Sequence, residues 1–462
     1  MEGNIFAFAM LIIWPLISIR LYQTQTIQNA SFWTIVGGFM TLPVRTEVDL
    51  PLIPALGKHS IPVVAAIVGC WLVKGRRIKY FANKGWLKFL VLLMIIAPFI
   101  TVMLNGDRVI VGGDFIQGLT LHDGLSAVIN QLLLITPFFM GKQFFRTYED
   151  HLLIFKSLVV AGLIYSIPML FEIRMSPQLH SWLYGYFPHE FVQQMRAGGF
   201  RPVVFMGHGL LVAFFTVVVL LSSTVLWKNN EKIRQFSATK LSYFFIILLF
   251  LCKSMASLMY GLFAVLMIKK TSYKVQLRMA LILAILAVSY PMLSILNIFP
   301  HQQLSDLAVE YMGEERAQSL TYRFDNEKVL LDHGRKRFFF GWGGWGRNRV
   351  YNEETGKDET VTDGRWIITF GTAGWLGFIA EFGFLLVSVL QANKAAKIIK
   401  LSTKELTLLA AHALLVSFIM IDQLPNASFA PWLWLLVGIL LGRSEDIMNK
   451  NQLQRNKPII TQ

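Results

Sequence analysis

The chain has 462 residues, 54% of them hydrophobic and only 15% charged, with a mean hydropathy of +0.51, which excludes a water-soluble enzyme built of two or three polar-surfaced domains. Its two cysteines, Cys70 and Cys252, each lie inside an apolar run, which excludes a disulfide framework and zinc-type spacing. The formal net charge of +15 reports topology before nucleic acid, because surplus Lys and Arg in a membrane protein collects on cytoplasmic loops and meets anionic lipid there.

In chain order the apolar runs are 5–19, 30–42, 61–73, 86–104, 125–140 and 152–171, then 202–227, 241–252, 255–268, 279–299, 366–390, 406–421 and 430–441. They are continuous rather than alternating, which rules out a β-barrel. The expected fold is all-α, a polytopic transmembrane bundle of about eleven to thirteen spans, with an extracytoplasmic cap loop. No cleavable leader is expected, because Glu2 instead of a basic region precedes the first run.

Four clusters carry basic residues with few acids: 74–88, 228–240, 269–278 and 394–404. Placing all four in the cytoplasm sends 105–124, 172–201, 300–365 and 422–429 to the other side. The threading requires a hairpin at Lys253 and Ser254, splitting 241–268 into two short helices. It divides the chain into N-terminal membrane helices (1–299), an extracytoplasmic loop (300–365), C-terminal membrane helices (366–442) and a cytoplasmic tail (443–462). Within the loop, Leu304, Leu307, Ala308 and Tyr311 recur at helical spacing, as do Leu320, Phe324 and Leu331. FFFGWGGWGRNR (338–349) carries four glycines and is expected to turn tightly.

Three polar features are candidates for chemistry. In RAGGFRPVVFMGH (196–208), Arg196 and Arg201 flank paired glycines. An arginine fork can hold phosphate through two parallel bonds, or serve as an interfacial anchor. His208 is expected about two turns into the span beginning at Pro202, as a catalytic group or as a buried histidine bonded to a neighbouring helix. The second feature is the loop, with Arg323, Arg335, Lys336, Arg337, Arg347 and Arg349 before Asp363 and Arg365. These cations suit a diphosphate or lipid headgroups, and His333 and Asp363 are potential bases. The third comprises ionisable residues within apolar runs, Lys253, Glu381 and His412, each of which needs a partner or a wet cavity. No Walker loop occurs, GWGGWG lacks the strand and helix context of a dinucleotide site, and no metal spacing is present, so neither metal nor cofactor is expected.

Many short helices, a large loop between late spans and three segments, LPVRTEVDLPLIPALGKHSIP (42–62), RAGGFRP (196–202) and FGWGGWGRNR to TDGRWIITFGTAGWLG (340–377), resemble the O-antigen ligase and polymerase superfamily of bacterial membrane proteins. The resemblance implies an inner-membrane, multi-pass glycosyltransferase acting on undecaprenyl-diphosphate-linked glycan in surface or exopolysaccharide assembly, beside membrane lipids and other assembly proteins. Arg196, Arg201 and Arg323, with Lys253 and Arg365, would hold the diphosphate, and Asp363 or His208 would act as base. Ligases of this type carry a histidine eleven residues before a glycine. Here that residue, before Gly374, is Asp363, which turns the expectation toward a polymerase. The alternative from another class is a transporter or flippase of lipid-linked glycan, using the same cations without bond formation.

Overall fold

A computed structural model describes residues 3–49, 54–81, 85–196, 198–398 and 401–455. The chain is about 70% helical with almost no sheet. Its helices are α1 (Ile5–Thr24), α2 (Ile27–Phe32), α3 (Gly38–Thr41), α4 (Ile61–Val68), α5 (Trp86–Met103), α6 (Leu121–Phe144), α7 (Tyr148–Met175), α8 (Leu179–Tyr184) and α9 (Gly209–Lys228). They continue with α10 (Ala238–Leu251), α11 (Met255–Lys270), α12 (Tyr273–Ile295), α13 (His301–Met312), α14 (Glu314–Arg335), α15 (Arg365–Ile398), α16 (Thr403–Asp422) and α17 (Pro431–Arg455). Single π-helical turns, Trp33–Gly37 and Gly69–Val73, join α2 to α3 and extend α4.

Seven helices among the described residues, α1, α6, α7, α9, α12, α15 and α16, are long and apolar enough to cross a membrane. The chain is therefore a helical protein with a membrane-spanning character. The sequence expectation of eleven to thirteen spans exceeds this number because several apolar runs, although helical, are short: α10 has 14 residues and α11 has 16, where about 20 are needed. The bundle is built around α9 and α16, whose apolar windows are 89% buried, whereas α1 is only 28% buried and lies at the periphery.

Small residues let the largest helix pair close. GILLG (438–442) on α17 faces Gly141 of α6, and backbone meets backbone there, the packing that a glycine every fourth residue permits in membranes. The break between α10 and α11 falls where the charge pattern requires it. Lys253 takes a left-handed conformation (φ 51°) and α11 restarts at Met255.

Polar bonds at the helix ends sort the chain onto two faces. On one, Lys142 pairs with Glu445 (3.2 Å), Lys156 and Lys404 both reach Glu231 (2.9 and 3.5 Å), Lys228 donates to the Lys269 carbonyl (3.0 Å) and Arg443 pairs with Glu405 (2.6 Å). This is the basic face. On the other, α13, α14 and the glycine-rich segment form the cap, and Asn4 N–H donates to the Tyr184 carbonyl (2.9 Å), bringing the start of α1 there too.

The cap is fastened into the bundle through a broken helix. Gly374, at φ 68° and ψ −168°, interrupts α15 and leaves main-chain groups without helical partners. Residues 338–343 take them up. Trp342 and Gly343 N–H donate to the Gly371 and Thr372 carbonyls (2.8 and 2.9 Å), while Trp375 and Leu376 N–H donate to the Phe338 and Phe339 carbonyls (2.7 and 3.2 Å). The expected tight turn is present, with Gly341, Gly343 and Gly346 all at positive φ.

Candidate functional site

Residues 44–49 and 54–60, the head of α6 and the glycine-rich segment border a cavity of about 770 Å³ on the cap face, lined by Arg45, Glu47, Lys58, His59, Asn130 and Trp345 among others. That volume lies within the range of small-molecule sites. A short hairpin, Glu47–Val48 against Leu56–Gly57, shapes the loop. Lys58 ties it down: its buried Nζ donates to the Leu42 and Phe205 carbonyls, each at 2.7 Å. His59 is exposed to the cavity, yet the surrounding protein and the neighbouring Lys58 push its imidazole pKa down to about 4. Its ring is therefore neutral at pH 7, with a nitrogen lone pair that can accept a proton but holds it more weakly than an ordinary imidazole.

The residues expected to bind diphosphate fall into three surroundings. Arg196, Arg201, Lys253 and His208 are brought together. Arg201 donates through Nε and Nη2 to the Lys253 carbonyl (3.4 and 3.0 Å), and Lys253 Nζ donates to the Arg196 carbonyl (3.0 Å). His208 does not lie inside the span. It is the N-cap of α9, with its Nδ1 accepting from Leu210 N–H at 3.0 Å. Residues 202–208 are irregular because side chains compete for their amides: the Glu172 carboxylate accepts Val203 and Val204 N–H (2.7 Å each), and Tyr165 accepts Phe205 N–H (3.0 Å). Burial, His189 and Arg201 lower the His208 pKa to about 4.

Arg323 and Asp363 line a separate crevice with Glu327 and Leu424. At about 20 Å³ it has room for roughly one water, too little for a sugar. Glu327 accepts from Tyr290 O–H at 2.5 Å and lies 3.8 Å from His301 Nε2. Burial raises its carboxyl pKa to about 7; Asp363 adds to the rise, while the Tyr290 bond and Arg323 oppose it.

Arg365 forms the third setting. Its Nε and Nη2 bind the two oxygens of Glu381 (2.8 and 3.0 Å), and Thr369 donates to the same carboxylate (3.0 Å). Glu381 thus has the partner that its place in an apolar run requires. The pair lines a small cavity with Gln131 of α6, one residue beyond Asn130 of the larger one.

The other cap arginines hold structure together. Arg337 binds Asp107 (2.6 Å) and the Leu104 carbonyl (2.7 Å), and fully buried Arg347 donates to the Asp107 and Gln117 carbonyls (2.9 and 3.0 Å). Arg335 pairs with Asp332 (2.5 Å), Arg349 pairs with Asp358, and His333 stacks on Trp342 while bonding the Arg347 carbonyl (2.9 Å). Among the described residues no group of three His, Cys, Asp or Glu is placed to hold a metal.

Sequence reasoning did not single out Arg45, Lys58 and His59 as site residues, although their segment was one of the three that stood out. The signal was Lys58–His59 beside a loop rich in proline, which cannot be a span. No protein-family model matches the chain, and no curated protein matches it.

Proposed function

We propose that the protein is a bacterial inner-membrane glycosyltransferase that polymerises or ligates undecaprenyl-diphosphate-linked oligosaccharide, with its shorter apolar helices completing a bundle of eleven or more spans. One observation carries this reading. Two segments far apart in sequence, residues 44–60 and Gly344–Trp345, contribute described residues to the wall of the 770 Å³ cavity, and Lys58 of the first ties it to Phe205, three residues beyond RAGGFRP. The order of those same segments is what resembles the O-antigen ligase and polymerase superfamily.

In the proposed reaction His59 takes the proton of an acceptor hydroxyl, whose oxygen attacks the anomeric carbon of the donor sugar. The bond from that carbon to the diphosphate oxygen breaks, and Arg45 neutralises the negative charge of the departing lipid diphosphate. Arg201 and Lys253 are bonded to main-chain carbonyls and do not line the cavity, and Asp363, though exposed, does not line it either. No cofactor is required.

The test is the purified protein in vesicles with a synthetic undecaprenyl-diphosphate oligosaccharide. Longer glycan together with free undecaprenyl diphosphate is expected, and both should fall roughly a hundredfold or more in His59→Gln. Donor that crosses the bilayer unchanged in length would replace the enzyme by a flippase, the reading that the broken helix α15 favours.

A further inference from the structure

On the basic face, remote from the proposed reaction site, the first turns of α12 and the last turns of α15 bound a groove of about 590 Å³. Lys274, Arg278 and Lys397 stand around it, with Tyr273 and Asn393 between them and Leu277 and Leu281 beneath. All three cations are exposed, and among the described residues none has a carboxylate partner. Some other cations on this face are paired: Lys142 with Glu445, Lys156 and Lys404 with Glu231, Arg443 with Glu405.

The surface next to the groove says which anion fits. From Arg278, the same side of α12 continues through Ile282, Ile285 and Leu293, all exposed and spaced three, four or eight residues apart, as one helical stripe. A cationic rim opening onto an apolar track along a membrane helix matches a charged headgroup with acyl chains running below it. Free phosphate or a nucleotide would use the rim and leave the track unexplained.

We propose that this groove is a binding site for an anionic diacyl phospholipid of the leaflet on the basic face, its phosphate held by Lys274, Arg278 and Lys397 and its chains lying along α12. Tyr273 stands at the headgroup level, where tyrosine is favoured at membrane boundaries.

The experiment is native mass spectrometry of the full-length protein in a neutral detergent with dioleoyl phosphatidylglycerol, dioleoyl phosphatidylcholine and inorganic phosphate as separate probes. Phosphatidylglycerol is expected to bind and phosphatidylcholine to bind much more weakly. The triple variant Lys274→Gln, Arg278→Gln, Lys397→Gln should weaken phosphatidylglycerol binding roughly a hundredfold, since each cation near a lipid surface contributes roughly fivefold. Lys394→Gln, an exposed neighbour on α15 that does not line the groove, should leave binding unchanged, and elution of both variants as wild type shows that they fold. Equal binding in the triple variant overturns the proposal. So does displacement of the lipid by millimolar inorganic phosphate, which would make the groove a simple anion site.

Discussion

Gly438 of α17 lies so close to Phe138 of α6 that a Cβ on the glycine would stand 2.0 Å from the phenylalanine carbonyl oxygen. Gly442 and Gly141 are in the same state, at 2.4 Å from the carbonyls of Lys142 and Leu435. The atoms in the way are backbone, which cannot swing aside. Gly438→Val should therefore cost at least about 3 kcal/mol, at or beyond the usual range for overpacking, seen as a lower unfolding temperature in detergent or as loss of the monodisperse species. Gly113→Ala, where a Cβ meets nothing within 4 Å, should leave both unchanged.

The Arg365–Glu381 pair predicts asymmetric costs. Removing one partner leaves the other charge in a poorly solvated place, so Arg365→Gln should destabilise by about 3 kcal/mol. Combining it with Glu381→Gln should recover part of that loss. Thermal unfolding of the two single variants and the double variant checks this, and strictly additive losses would show that the two side chains do not depend on each other.

Glu327 makes the docking of the cap sensitive to pH. Its pKa in the folded chain, about 7, lies above the ordinary glutamate value, so the folded state binds the proton more tightly than the unfolded state. Stability then falls as pH rises from about 4.5 to 7 and levels off above. Glu327→Gln should flatten this slope in a plot of unfolding temperature against pH. Arg323 holds that pKa down and Asp363 holds it up. Arg323→Gln should consequently move the transition to higher pH, and Asp363→Asn to lower pH.

Activity should separate His59 from Asp363. In the vesicle assay His59→Gln is expected to abolish glycan extension, while Asp363→Asn keeps it within about tenfold, because only the histidine reaches the large cavity and a general base is worth 10² or more. The opposite pattern would return the base to the cap.

The helices were legible because apolar periodicity and length respond to the same burial that the bundle provides. The turn at Lys253 was legible from charge alone: a single helix over 241–268 would have put Lys269 on the wrong face. Arg196, Arg201 and Lys253 were correctly grouped on one face, but their bonds to carbonyls could not be read, since nothing in a sequence says whether an arginine is already occupied. The same holds for Arg335, Arg337 and Arg347, which looked like ligand-binding cations and are braces. His208 was misplaced because residues 202–208 are apolar enough for a helix; the competing acceptors, Glu172 and Tyr165, come from α7, some 30 to 40 residues away. The cavity itself escaped notice because its walls come from three distant segments.

The interruption at Gly374 bears on how anything reaches the space beneath the cap. Four peptide hydrogen bonds stitch residues 338–343 to α15, so a hinged lid would have to tear all of them together. Those bonds hold residues 338–343 and α15 as one piece, so access to the space beneath the cap would not come from lifting this segment off the helix.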